Sequence, residues 1–588
     1  MSSQTNDLFK STVLGHPSGL FVLFFTEMWE RFSYYGMRAL LVMFLTASLM
    51  DNGWGWPKDN AYALFGSYTA LVYLSTMLGG YFADNVWGYR KAVMVGAVLM
   101  TLGHAMMALE STWSIYLGLT LLVFGSGFFK PNMTSIVSHM YAERPNKKDG
   151  AYTIFYMGVN AGAFLGILLC GYLGEQVGWS IGFGLAGVFM LFGMLQFWFF
   201  QSIFGDIGLK PEKKSDDEKA ALKVAAAAVD KNDRDTIPFS VPQLIAIAVM
   251  VVLGLVWILN DPMSKIYKFN LLNFKVLGMS GSLFTILFAL ALFISLLVYR
   301  LSQYGKITRD KMIAVTFFAF LTIFFWAIFE QAPASLTTFA RDYTNRMLEG
   351  NAALTFKVIN SLMTIIPLGI ITWVLTLLFK QTFKKYALSN IILATSFVII
   401  WSIAIWMLVV EFKKETAEVP ASWFGVLNSL FIIALAPLFS KWWESKYNPS
   451  ANVKFGIGMT LLGIGMACVA FGSSGIAPGA ATASVSMMWL VLVYLFHTMG
   501  ELCVSPVGLS YVSKLVPGKM IAMMFGIWYL AVAIGMKTAG IFAESSEAIA
   551  KQDGIAYFFW ILTVIAIVLG AFSVIMSPVI KKLMHGVK

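Results

Sequence analysis

Apolar runs of about 20 residues recur along the whole chain, each closed by charge, glycine or proline. A helix of that length crosses a bilayer core about 30 Å thick. Alternating segments of about ten residues, the mark of a membrane barrel, do not occur. The runs predict six spans near residues 18–48, 60–83, 92–110, 114–136, 150–173 and 180–203. A polar segment from about 204 to 240 interrupts the series with PEKKSDDEKAALKVAAAAVDKNDRD, which reads as a cytosolic linker with room for a short helix through its alanines. Ten more spans are expected near 241–260, 278–300, 312–334, 357–379, 388–411, 421–440, 453–472, 485–512, 519–542 and 556–579. Sixteen crossings return the chain to the side on which it began.

Composition agrees with that pattern. With 58% of residues hydrophobic and 12% charged, and a mean hydropathy of +0.73, the chain needs lipid as its solvent. The net charge of +11 does not form a nucleic-acid stripe, because its lysines and arginines fall in short loops between spans. Alternation assigns to the inside the loops carrying Arg90 and Lys91; Arg144, Lys147 and Lys148; Arg300, Lys306, Arg309 and Lys311; Lys380, Lys384 and Lys385; Lys441 and Lys446; Lys514 and Lys519; and Lys581 and Lys582. A multi-pass protein of a bacterial inner membrane with both termini cytoplasmic is therefore expected; Lys265, Lys268, Arg341 and Arg346 are exceptions on the outside. The first apolar stretch carries Glu27, Glu30, Arg31 and Arg38 and outruns a signal-peptide core, so it should act as an uncleaved insertion signal. Three cysteines without a repeated spacing and five scattered histidines suggest no disulfide framework, metal site or cofactor.

Charges inside the spans point to chemistry. An ionisable side chain at mid-membrane costs at least about 2.5–3.5 kcal/mol, so each should meet a partner or a wet cavity. On the first span Glu27, Glu30, Arg31, Tyr34, Tyr35 and Arg38 recur at helical spacing and share one face. Lys130 lies within the fourth span beside Pro131 and Asn132, and Glu501 sits deep in WLVLVYLFHTMGELCVSP. Tyr156 with Asn160, and Trp326 with Glu330, are each four apart on one helix face. Interhelical ion pairs that only fix packing would explain one such pair, but several desolvated charges are seldom recovered by pairing alone. A central cavity lined by both signs, suited to a zwitterion, is the expectation.

The stretch Glu27-Met-Trp-Glu30-Arg31-Phe32-Ser33-Tyr34-Tyr35-Gly36 resembles the E-x-x-E-R-F-x-Y-Y-G signature of the proton-dependent oligopeptide transporter family, a branch of the major facilitator superfamily. Gly79-Gly80-Tyr81-Phe82-Ala83-Asp84 with Gly88, Arg90 and Lys91 looks like the superfamily's loop motif, and GSGFFKPN at 125–132, FYMGVNAG at 155–162, FWAIFEQAPASL at 325–336 and GELCVSPVGLS at 500–510 are also family-like. The resemblance implies an all-α polytopic fold: a six-helix bundle over 1–203, the linker 204–240, two accessory helices over 241–311, and a second six-helix bundle over 312–588 with a helix pair inserted at about 352–416. The inserted pair lacks a charge cluster and is expected to pack on the outside.

What the resemblance implies for function is a symporter, not an enzyme, that imports di- and tripeptides with protons. Glu27, Glu30, Arg31, Lys130 and Glu501 would couple protons. Arg31 and Lys130, with Tyr34 and Tyr73, would hold the peptide carboxylate; Asn160, Asn428 and Glu501 would receive its amine; Trp326, Trp528 and Tyr156 would line side-chain pockets. Tyr35, Arg38, Glu330 and Ser505 complete the expected peptide-binding set, and Lys130 with Glu501 and Arg38 with Glu330 would be gating ion pairs. Lys537 departs from the family pattern and is expected to snorkel or face the cavity. Rival readings are a proton-coupled carrier of another solute such as nitrate or a peptide-like compound, a passive channel, and an intramembrane enzyme. For the last, neither a Gly-x-Ser-x-Gly turn nor paired histidines are found.

Overall fold

The computed structural model describes residues 8–210, 239–515 and 521–587. Most of the expected linker, with the short helix through its alanines, lies outside the described residues.

Sixteen helices of 19 residues or more occur among the described residues. The first six are α1 (Ser18–Thr46), α2 (Lys58–Phe82), α3 (Tyr89–Met107), α4 (Thr112–Met140), α5 (Pro145–Gln176) and α6 (Trp179–Phe200). Then come α7 (Val241–Ile266), α8 (Gly281–Gln303), α9 (Lys306–Phe329), α10 (Gly350–Thr382) and α11 (Ala387–Lys413). The last five are α12 (Val426–Glu444), α13 (Ala451–Gly472), α14 (Met488–Leu515), α15 (Ile521–Gln552) and α16 (Ile555–Ile575). Fourteen pass as membrane spans on length and composition. The two that do not are α1, with its four charges, and α3, which opens on Arg90 and Lys91. Helix α1 is enclosed by other helices, which keeps lipid from its charges, whereas α3 buries one face, including Arg90, and leaves Lys91 exposed at its end.

Packing sorts these helices into groups. Helix α1 is buried along nearly its whole length against α5 and α6, while α4 packs on α2 and α3, and α3 on α6. A second group forms where α13 packs on α14 and α16, α9 on α15, and α12 on α14. The seam between groups runs along α2 with α15 and α5 with α12. At the first of these crossings Gly66 faces Gly540, and a Cβ on either would press against the other's Cα. Only a glycine pair allows the backbones that close.

The additional helices lie outside both groups. Helix α7 packs on α2 and α8, and most of α8 faces outward. Helices α10 and α11 pair with each other, and α11 lies on α6. Phe397 of α11 stacks edge-on with Phe25 and Trp29 of α1, ring centroids 5.7 and 5.5 Å apart. Each such pair contributes about 0.5–1.5 kcal/mol beyond area burial. Phe397→Ala, which removes both ring pairs and the buried area of the side chain, should therefore cost about 3–5 kcal/mol in reversible detergent unfolding, while leaving the polar face of α1 intact.

Hydrogen bonds and ion pairs between described residues of the two groups all lie in the half of the bundle away from the termini. Arg341 Nη1 donates to Thr46 Oγ1 at 2.8 Å. Lys58 Nζ is 3.1 Å from both Asp342 and Glu547. Tyr62 and Thr338 share a hydroxyl bond of 2.6 Å. Glu175 accepts from the backbone N–H groups of Ala421 and Ser422 at 2.8 and 2.9 Å. The same face holds three of the four cations that break the loop pattern, and all three are paired. Lys265 meets Asp261 at 2.6 Å, Arg341 meets Asp342 at 2.6 Å, and Arg346 meets Glu418 at 2.9 Å. A paired cation weakens the positive-inside signal without violating its physics.

Candidate functional site

The polar face of α1 turns toward the seam. Arg31 Nε lies 2.7 Å from Glu27 Oε1 and 3.0 Å from Glu30 Oε2, and all three side chains are buried. Glu27 closes the i, i+4 pair with a hydrogen bond, whereas both carboxylate oxygens of Glu30 and the second of Glu27 have no hydrogen-bond donor. One guanidinium thus serves two carboxylates. Apolar residues take the other side of the helix, where Trp29 stacks on Phe189 at 4.6 Å.

Helix α4 brings Lys130 to this cluster. Pro131 has no N–H for the carbonyl of Gly127, so the helix is weakened one residue beyond the lysine. Asn132 Nδ2 strengthens the same stretch by donating to Phe128 O at 2.7 Å and to Gly79 O of α2 at 3.3 Å. Lys130 Nζ sits 4.0 Å from the ring centroid of Tyr34 and 5.2 Å from that of Tyr73. The side chain is half-buried and makes no ion pair among the described residues; its charge rests on aromatic faces. The loop motif anchors the neighbouring helix end, since Gly88 adopts φ +78° and Arg90 Nε donates to Ile207 O at 2.6 Å.

Opposite stands a wall built by α9, α12, α14 and α15. Pro333 cannot supply the donor that α9 needs to continue, and the helix stops at Phe329. Gln331 takes up the break: its Nε2 donates to Ala327 O and Ala539 O, both at 3.0 Å, and its Oε1 accepts from Ser335 at 2.6 Å. Glu330, at the break, pairs with Arg38 across the seam. Glu501 of α14 accepts from Asn428 Nδ2 at 2.9 Å, and the same amide donates to Thr498 at 3.1 Å. No cation lies within ion-pair distance of Glu501 among the described residues.

The structure brings Arg31, Tyr34, Tyr73, Lys130, Arg38 and Glu330 together at one seam, with two different states of pairing. Arg38 and Glu330 are joined; Lys130 and Glu501 are not, and each retains solvent exposure. Tyr35 and Tyr73 lie within electrostatic reach of both Arg31 and Glu501, and Tyr156 within reach of Glu501. Tyr156 is 46% exposed, and its carbonyl accepts from buried Asn160 at 3.0 Å. Half-buried Trp326 packs on Phe329, and buried Trp528 fills the space beside Gly508. Ser505 carries a buried hydroxyl without a hydrogen-bond partner among the described residues. Gln331 and Thr498 went unread in the sequence. Both are uncharged and sit next to flagged acids, so composition gives no signal for them.

Known proteins resemble this chain over its full length. A family model described as the POT family matches residues 90–408 and 400–561. A peptide transporter of Yersinia enterocolitica subsp. palearctica is 29% identical over 593 residues, covering 100% of this chain and 99% of the relative. A di-/tripeptide transporter of Lactococcus lactis subsp. cremoris is 30% identical over 594 residues, covering 98% and 99%. The crystal structure of a variant of the peptide transporter POT in complex with alafosfalin superposes with a TM-score of 0.69 at 28% identity, covering 100% of this chain and 99% of that one.

Proposed function

The chain belongs to the proton-dependent oligopeptide transporter (POT) family, and from that premise we propose that it is a proton-coupled symporter importing di- and tripeptides across the cytoplasmic membrane by alternating access. It is a multi-pass carrier with the major facilitator fold and not an enzyme. The observation that carries the substrate is the couple Lys130 and Glu501, a cation and an anion on opposite walls of one seam, each half-buried and without an ion-pair partner among the described residues. A short peptide supplies the missing counter-charges at its two ends, while its side chains vary against Tyr156, Trp326 and Trp528.

The proposed organisation is a first bundle over 1–203, a cytoplasmic linker over 204–240, an accessory pair over 241–311 and a second bundle over 312–588 with the inserted pair at about 352–416. The lysine-rich loops on the side of the termini support placing both ends in the cytoplasm of a bacterial cell. With that orientation the seam is bonded on its outer half, which supports an inward-facing state. Arg38 with Glu330 then closes the outer gate, and Lys130 with Glu501 forms when the carrier turns outward. Arg31 and Lys130 hold the peptide carboxylate beside Tyr34, Tyr35 and Tyr73. Asn160, Asn428 and Glu501 hold the amine, with Ser505 adjacent. Glu27, Glu30 and Arg31 take up the proton as one unit.

Reconstituted into liposomes with an inward proton gradient, the protein should accumulate labelled dialanine, and a protonophore should abolish that accumulation. Di- and tripeptides should compete, whereas dialanine acetylated at its amine should bind roughly tenfold or more weakly, having lost a charge-assisted contact to Glu501. Uptake indifferent to the protonophore would replace symport by a passive path. Competition by nitrate and not by peptides would assign another solute.

A further inference from the structure

Four charges, one buried and three partly buried, lie away from the peptide site. Lys537 of α15 is 2% exposed, and its ammonium pairs with Asp261 of accessory helix α7. Asp261 also meets Lys265 at 2.6 Å, and Lys265 in turn pairs with Glu544 of α15. Two lysines and two carboxylates sum to zero, so the cluster is complete without a proton or an ion. This corrects the reading of Lys537 as a snorkelling or cavity-facing side chain: it is enclosed because its counter-charge comes from another helix.

The cluster is also tied to the first group of helices. Lys537 Nζ donates to Ser67 Oγ of α2 at 3.0 Å, and Ser67 Oγ donates to Ile258 O of α7 at 2.9 Å. Ser67 follows Gly66, whose contact with Gly540 brings the backbones of α2 and α15 together. One hydroxyl therefore joins three helices at the seam, in the half that is bonded. Helix α7 holds α2 through Ser67 and α15 through Asp261, so it spans the two groups that alternating access must separate.

We propose that the accessory helix α7 is a clamp on the outer gate: Asp261 holds Lys537 against Ser67, and this knot must open each time α2 and α15 part. The proposal rests on the alternating-access reading above. It gives the accessory pair a positioning role in the transport cycle rather than a purely packing one. Desolvation makes the knot a two-state device. Lys537 without Asp261 would be a buried uncompensated charge, so pair and contact break together.

Spin labels on Asp59→Cys and Lys551→Cys, exposed at the outer ends of α2 and α15, report the width of this gate. The full chain would carry them in lipid nanodiscs, with Cys468→Ser to remove the half-buried thiol. The double variant Asp261→Leu with Lys537→Met removes one pair, keeps the network neutral and leaves Lys265 with Glu544. It should raise the wide-gate fraction roughly threefold or more, and Ser67→Ala, which alters no charge, should shift it the same way by a smaller factor. An unchanged distribution in both variants, beside a wild-type protein that shows narrow and wide populations, overturns the clamp alone. A single narrow distance in the wild type at every pH and dialanine concentration overturns alternating access and the clamp with it. Should the double variant fail to fold, Ser67→Ala decides, since it disturbs one hydroxyl.

Discussion

Glu27→Gln and Glu30→Gln are each expected to abolish uphill peptide uptake while sparing exchange of labelled for unlabelled peptide. Arg31 lies 2.7 and 3.0 Å from these two carboxylates, and no other described residue of positive charge is paired with them. While both are ionised, the guanidinium is occupied. Protonation of one removes half of its anchorage and frees donors for the peptide carboxylate. Glutamine imitates the protonated state permanently, so the loaded carrier still turns, but the empty carrier cannot release a proton on the low-concentration side. One charge moving through 100 mV contributes about 2.3 kcal/mol. That supports roughly 40- to 50-fold accumulation at a factor of ten per 1.4 kcal/mol. In proteoliposomes the accumulation ratio should fall to about one, with counterflow kept within about threefold of wild type. Retained uphill uptake in both variants would remove the cluster from the coupling scheme.

Much of this architecture is legible in the chain because hydrophobic length and loop charge act locally. Sixteen apolar runs became sixteen helices, and the spacing of Glu27, Arg31, Tyr34 and Arg38 placed them on one face before any packing was known. Pro131 and Pro333 mark where α4 and α9 lose a backbone donor, and the candidate charges Lys130 and Glu330 stand beside those breaks. Partners far apart in sequence are a different matter. Asp261 and Lys537 are separated by 276 positions, and Gln331 reaches Ala539 across 208. Asp261 and Glu544 also fall near the ends of their apolar runs, where a charge is ordinarily read as the start of a loop. Lys58, Asp342 and Glu547 escaped for the same reason: each looks like a boundary residue until the fold brings the three together. The sequence pattern thus reports a charge inside a span well and a charge at its rim poorly, because water satisfies a rim charge in most proteins and a second helix satisfies it here.

Lys130→Ala carries the other large effect. Among the described residues the ammonium has no carboxylate within ion-pair distance, and it lies over the faces of Tyr34 and Tyr73. Its removal therefore leaves no partner stranded by a broken bridge, and the variant should fold. A purely structural lysine would behave differently, since losing one member of a buried ion pair costs about 3–5 kcal/mol. Two functions should fail together. The peptide carboxylate loses a charge-assisted contact worth about 1.5–3 kcal/mol, so affinity for dialanine should drop by roughly 10- to 150-fold. The outward-facing state loses the cation that would meet Glu501, so proton-driven accumulation should fall to background even at saturating peptide. Lys130→Arg keeps the charge but not its compact shape and should recover binding more than turnover, because a planar guanidinium suits the carboxylate yet does not replace the compact point charge that would meet Glu501. The measurements are dialanine affinity, proton-driven uptake and the thermal midpoint of the same preparation. Wild-type accumulation by Lys130→Ala, at an unchanged midpoint, would reduce the lysine to a bystander and leave Glu501 facing the peptide alone.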